Sequence, residues 1–192
     1  MKFSFAKKIG MTQVFEGGKV IPATRVKLYP DVKVQALIKS DKNGYDSIQF
    51  GAKYSKKVAD KLLPVLLKEV RLKEAVSLEV GSEMDISQYE VGNVVTIKGV
   101  SKGKGFAGVV KRHGFSGANA THGTKHTERA GGSIGSGYPE HVLKGRKMPG
   151  RAGFKAQTVK NIKVIAIDLE NNELLLKGAI PGPNKGLLQI VG

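Results

Sequence analysis

Apolar and polar residues alternate with a period of two from the first residues of the chain, and that alternation predicts strands along most of its length. Phe3 to Phe15 reads as one strand with an irregularity near Gly10, and Lys19 to Leu28 as its partner. Gly17-Gly18 between them supplies the positive φ angles of a tight hairpin turn. Val32 to Ile38 and Tyr45 to Phe50 alternate on either side of the turn signal Asp41-Lys42-Asn43-Gly44, which predicts a second hairpin. Ser55 is placed to N-cap a short helix from Lys56 to Leu63 that Pro64 would stop, although Lys56-Lys57 opposes the helix dipole there. Val65 to Lys73 reads as a strand, Val76 to Gln88 as a polar, acidic excursion, and Val91 to Val100 as another strand. Near the end, Thr158 to Leu169 and Glu173 to Ala179 flank a turn at Asn171-Asn172, and Leu187 to Val191 is a last short strand. Short strands separated by turn residues predict a mainly β fold, an antiparallel barrel or sandwich rather than a βαβ unit.

The alternation stops between Lys98 and Lys160. That stretch holds 13 Lys and Arg against only Glu128 and Glu140, a net +11 of the chain's +16, together with all four histidines and 14 of the 25 glycines. It has too little apolar residue to build a core, glycine adds backbone entropy, and the clustered charge repels itself, so a polyanion is needed to hold it in one shape. The expected organisation is a β body formed by 1–97 and 161–192, with an insert near 54–92, and a basic, glycine-rich extension at 98–160. The body alone is long enough to bury a real core.

A pI near 10.0 calls for an anionic partner: nucleic acid, an acidic membrane surface or an acidic protein. No run of 18 apolar residues offers a membrane span. The opening Met1-Lys2-Phe3-Ser4 lacks the apolar block of a signal peptide, and the absence of cysteine removes disulfides and thiolate metal sites, so a cytoplasmic chain is expected.

Patterns that could carry enzyme chemistry are poorly supported. Gly103-Lys104-Gly105-Phe106-Ala107-Gly108 is formally a dinucleotide fingerprint, and a basic nucleotide-binding enzyme using Gly103 to Gly108 is the alternative reading, but no apolar run follows to make the second parallel strand. Gly99 to Lys104 falls one residue short of a P-loop and ends in Gly105 where a Mg²⁺-binding hydroxyl should stand. His122 and His126 have the spacing of two ligands on one helix face, with His113 and His141 as candidate completions, yet glycines surround them and they suit base stacking or phosphate contact better. Neither a catalytic triad nor a carboxylate pair is present, and neither a cofactor nor a metal is expected.

The interleaving of cations with glycine is the stronger signal. Lys98, Lys102, Lys104, Lys111, Arg112, Lys125, Arg129, Lys144, Arg146, Lys147, Arg151, Lys155 and Lys160, with His122 and His126, form a candidate RNA-binding set. Glycine lets the backbone approach phosphates, and Arg offers a bidentate fork. Phe106, Phe115, Tyr138 and Phe154 are candidate base stackers, with docking onto the β body the alternative reading, strongest for Phe106 and Phe115. A peptide this irregular suits the loops and bulges of folded RNA better than a DNA groove. Between Arg129 and Lys144 there is no Lys or Arg, so the tip, Gly132, Ser133, Ile134, Gly135 and Tyr138, has no long cation of its own.

Lys98 through Phe115 (KGVSKGKGFAGVVKRHGF), Thr121-His122-Gly123, Arg129, Gly132-Ser133-Ile134-Gly135, Lys144-Gly145-Arg146-Lys147-Met148 and Lys177-Gly178-Ala179-Ile180-Pro181-Gly182 together resemble bacterial-type large-subunit ribosomal protein three. Lys8-Ile9-Gly10-Met11-Thr12 is similar too, and the resemblance is weakest between Tyr54 and Gly92. It implies a six-stranded antiparallel barrel of the translation-protein type. It further implies a long loop threading large-subunit rRNA toward the peptidyl transferase centre, a role in early subunit assembly, and neighbouring ribosomal proteins as partners. The chain departs from the family at Glu128, where a histidine is usual. Its tip after Gly135 is a residue shorter, and Ser136-Gly137-Tyr138 lacks the glutamine that some members methylate.

Overall fold

In a computed structural model of the chain, which describes residues 1–39, 44–58, 61–72 and 78–192, two hydrophobic clusters grow from the two sides of the first strand, β1 (Phe3–Glu16). Strand alternation explains the split: Ala6 points into one cluster, while Phe3 and Phe5 point into the other. The remaining strands are β2 (Lys19–Leu28), β3 (Lys33–Ile38), β4 (Ser47–Val58), β5 (Lys61–Arg71), β6 (Val94–Val100), β7 (Phe106–Ala107), β8 (Gly150–Arg151), β9 (Ala156–Asp168), β10 (Glu173–Lys177) and β11 (Leu187–Val191). Among the described residues the helical elements are a 3-10 turn (Ile86–Gln88) and one short helix, α1 (Val109–His113). The chain divides into two units, Met1–Ser101 with Ala156–Gly192, and Lys102–Lys155.

In the first unit, six antiparallel strands pair in the order β1-β11-β6-β9-β10-β2, and β2 pairs back onto β1, so the sheet closes on itself. Val26, Ile97, Leu174, Leu176, Leu188 and Ile190 fill its interior. The β1–β2 register slips between Lys8 and Gly10, at the expected irregularity, and both Gly17 (φ 55°) and Gly18 (φ 76°) take the left-handed turn conformation. Lys8 is buried and donates from Nζ to the carbonyls of Ile180 (2.8 Å) and Gly182 (3.1 Å), which fixes the loop between β10 and β11.

A second, three-stranded sheet runs β3-β4-β5. Its Val34, Ile48 and Phe50 pack on Phe3 and Phe5, with the Phe3 and Phe50 rings stacked at 4.2 Å. The helix expected from Lys56 to Leu63 is not formed, because Lys56 pairs with Leu63 and Tyr54 with Pro64 in the β4–β5 hairpin. Pro64 is no stop signal here: it lies on an edge strand and beside the register shift between Tyr54 and Lys56, two settings in which a strand tolerates proline. The turn expected at Asp41-Lys42-Asn43 lies outside the described residues, as do Lys73, Val76 and Ser77. Beyond them the chain turns inward, burying Met84, and Gln88 brackets β1 by accepting from the Phe3 N–H (3.1 Å) and donating to the Ser4 hydroxyl (3.0 Å).

The strands on either side of the basic stretch lie close to those expected: β6 runs Val94–Val100 where the sequence predicts Val91 to Val100, and β9 runs Ala156–Asp168 where it predicts Thr158 to Leu169. β6 continues through Val100 and β9 begins at Ala156, so Lys98 and Lys160 stand on strands of the closed sheet.

Candidate nucleic-acid interface

The Lys102–Lys155 unit is zipped at its two ends by main-chain bonds. β7 pairs antiparallel with β8, the Lys104 N–H donates to the Ala152 carbonyl (2.9 Å), and the Ala152 N–H donates to Gly105 (2.8 Å). Gly153, at φ 69°, lies so close to the Lys102 carbonyl that a Cβ would overlap it, which explains the glycine. α1 follows β7 and ends on Gly114 in the left-handed cap conformation (φ 74°, ψ 29°), whose N–H bonds the Val110 carbonyl. Three cationic or titratable residues, Lys111, Arg112 and His113, crowd its last turn, where they complement the helix dipole.

Only Ala107 and Val109 are buried in this unit, as its composition predicts. Val109 and Phe115 close over Gly131, where a Cβ would lie 3.3 Å from Val109 Cγ2. Gly117 is pressed on the main-chain carbonyl of Glu128, which also accepts from the Ala118 N–H at 2.9 Å. Glu128, the acidic departure from the resembled family, therefore contributes backbone to the fold while its side chain is exposed.

Of the unit's eleven Lys and Arg, ten are exposed: Lys102, Lys104, Lys111, Lys125, Arg129, Lys144, Arg146, Lys147, Arg151 and Lys155. The eleventh, Arg112, is half-buried and donates from Nη1 to the Met148 carbonyl at 2.5 Å, where His113 Nε2 also lies at 3.0 Å. Arg112 thus ties α1 to the returning chain, a role that its place in a run of cations does not reveal. Arg146 reaches across 13 residues to donate to the Ser133 carbonyl (2.6 Å), so the tip does carry a long cation, supplied from the return segment. Arg151 lies over the Phe154 ring at 4.6 Å.

Phe106, Phe154 and Tyr138 are exposed, Tyr138 at 88%, so three aromatic faces stand in solvent beside the cations. His122 and His126 are exposed, and His141 Nδ1 sits 2.9 Å from the Pro139 carbonyl. Among the described residues no three His, Cys, Asp or Glu side chains converge as metal ligands do. The tip holds itself by short side-chain bonds, Ser133 Oγ to the Gly135 carbonyl (2.7 Å) and Ser136 Oγ to the Tyr138 carbonyl (2.6 Å). The Gly103 to Gly108 pattern sits in the wrong context for a dinucleotide: β7 has two residues, pairs antiparallel, and leads into a helix of five. What the arrangement offers chemically is exposed positive charge, close-approach glycine backbone and open aromatic faces.

A profile of the family described as ribosomal protein L3 matches residues 72–173, a span that includes the whole basic unit. Large ribosomal subunit protein uL3 of Natranaerobius thermophilus is 42% identical over 203 residues, covering 99% of this chain and 96% of the relative. The proteins of the same name from Syntrophus aciditrophicus (43% over 203 residues, 98% and 92%) and Alkaliphilus metalliredigens (38% over 205 residues, 99% and 96%) are similar throughout as well.

Proposed function

This chain belongs to the ribosomal protein L3 family, and from that membership we propose that it is a structural, non-catalytic constituent of the large ribosomal subunit that binds large-subunit rRNA through its basic unit. The observation that carries the reading is the exposure of ten cations on a unit with almost no core, against two carboxylates. Such a surface releases condensed counterions when phosphates replace solvent, and lets RNA helices that would repel one another pack closely.

In this reading the closed six-stranded sheet is the translation-protein barrel, supported by its cyclic strand pairing. It anchors on the RNA surface, with neighbouring ribosomal proteins beside it and Lys98 and Lys160 on its strands. Lys102, Lys104, Lys111, Lys125, Arg129, Lys144, Arg146, Lys147, Arg151 and Lys155 grip phosphates, Arg146 also bonding the tip at Ser133, while Arg112 holds the unit's own shape. The tip, Gly132 to Pro139, shapes RNA near the peptidyl transferase centre, and the protein acts early in assembly of the subunit in the cytoplasm.

Chemical protection mapping of large-subunit rRNA with and without the full-length protein tests this. The expected result is a compact set of protected nucleotides, lost when Lys102, Lys104, Lys144 and Lys147 are replaced together by Ala. Equal binding to any polyanion, with no discrete footprint, would overturn it.

A further inference from the structure

Beside α1 lies a hollow of about 260 Å³ that charge neutralisation does not require. Its walls are apolar: Val109, Phe115 and Met148, with Ile134 half-exposed among the lining residues. Arg129, Arg146 and Lys147 also line it, and no carboxylate does. The backbone of Gly131 and Gly132 completes the wall, and a Cβ at Gly131 would stand 3.3 Å from Val109 and 3.8 Å from Phe115, against the side chains that shape the space. An adjoining hollow of about 350 Å³ shares Phe115, Gly131 and Gly132, so the half-buried Phe115 ring lines both.

An apolar slot with an aromatic wall and three cations fits one kind of occupant better than the alternatives: a flat, π-faced group tethered to an anion. An apolar peptide would leave the cations unused, and a bare phosphate would leave the apolar walls wet. The volume is smaller than the ordinary range for drug-sized ligands, about 300–1,000 Å³, and suits a single heterocycle. Resting on the rRNA-binding reading above, we propose that this hollow takes one unpaired nucleobase of the large-subunit RNA, extruded from its stack, packed on Phe115 and Val109, with its phosphates held by Arg129, Arg146 and Lys147. The unit then reads RNA at one nucleotide as well as neutralising its backbone.

The test uses the full-length protein and the rRNA fragment it protects. Phe115→Ala and Ile134→Trp, the second filling the hollow from a partly exposed position, each weaken binding between about fivefold and about 100-fold, the range of one base stack, without changing the salt dependence. Phe115→Tyr retains binding, because the ring face is kept. A photoreactive benzoylphenylalanine at position 134 crosslinks to a single unpaired nucleotide. If the wild type binds a discrete RNA site while both variants bind as it does, or the crosslinks scatter over paired helices, the pocket assignment is overturned and RNA binding stands. If the wild type forms no discrete complex, both fall.

Discussion

The Arg112 guanidinium and the Met148 carbonyl meet at 2.5 Å across 36 residues of chain, and His113 approaches the same oxygen. A bond from a charged donor is among the stronger single contacts, but Arg112 is half-exposed, so its loss is worth about 1 kcal/mol to the unit rather than the full buried value. Arg112→Ala therefore speeds amide hydrogen exchange at Phe106, Ala107, Gly150 and Arg151 while leaving the salt slope of RNA binding close to that of the wild type. A lower slope with unchanged exchange would return Arg112 to phosphate duty.

Binding to large-subunit rRNA is expected to be steeply salt-dependent. If half of the 13 cations between Lys98 and Lys160 contact phosphate, the slope of log affinity against log salt is about −4 to −6, at ~0.7 to 0.9 per contact. Titrations across a range of salt concentrations give the slope directly, and a value near −1 would make the charge a bystander.

How much was legible in the sequence depended on how local each determinant was. Gly17-Gly18 marks the β1–β2 turn because both residues need positive φ, and the Leu187–Val191 strand stands out because its alternation is bounded by Gly186 and Gly192. Pro64 misled because its meaning depends on whether a strand lies at a sheet edge, and nothing local to residues 56–64 states that. In the basic stretch the charge itself was plain. The division between cations that face outward and cations that brace the fold was not, since Arg112 finds Met148 and Arg146 finds Ser133 only once the chain has turned back. Composition fixes the field of such a segment, whereas long-range closure assigns its members.

The Tyr89 phenol is a pH-sensitive point in the body. Burial pushes it up to about 12, offset in part by the nearby Ser4 hydroxyl, and its oxygen has no hydrogen-bond partner of good geometry. Below about pH 10 the phenol is neutral in both the folded and the unfolded chain, so stability is unaffected. Above that, the unfolded chain ionises first and folding loses about 1.4 kcal/mol per pH unit until the folded phenol ionises. Tyr89→Phe should be neutral or slightly stabilising at pH 7, and at pH 11 its stability should exceed that of the wild type by about 1 kcal/mol more than at pH 7. Denaturant unfolding at the two pH values measures both, and a pH-independent difference would contradict the burial argument.

Gly135 and Lys104 separate shaping from gripping. A Cβ at Gly135 meets nothing within 4 Å and its φ is not in the left-handed region, so Gly135→Asp leaves the free protein's stability unchanged to within about 0.5 kcal/mol. On the proposed placement of the tip against rRNA, any effect in the ribosome then comes from the RNA, because the new carboxylate would face phosphates and a side chain would occupy space that glycine left open. Lys104 is exposed, and its main chain stays in the ladder to Ala152 when the side chain is cut back, so Lys104→Ala removes one phosphate contact, costing on the order of 1 kcal/mol, and lowers the salt slope by about 0.7 to 0.9. Gly135→Asp is accordingly expected to bind rRNA nearly as the wild type does but to impair subunit maturation, peptidyl transfer or the response to drugs acting at the peptidyl transferase centre. Lys104→Ala should do the reverse. Subunits reconstituted with each variant decide between them: normal assembly, peptidyl transfer and drug response with Gly135→Asp would remove the tip from the neighbourhood of the catalytic RNA, whatever the basic unit does elsewhere.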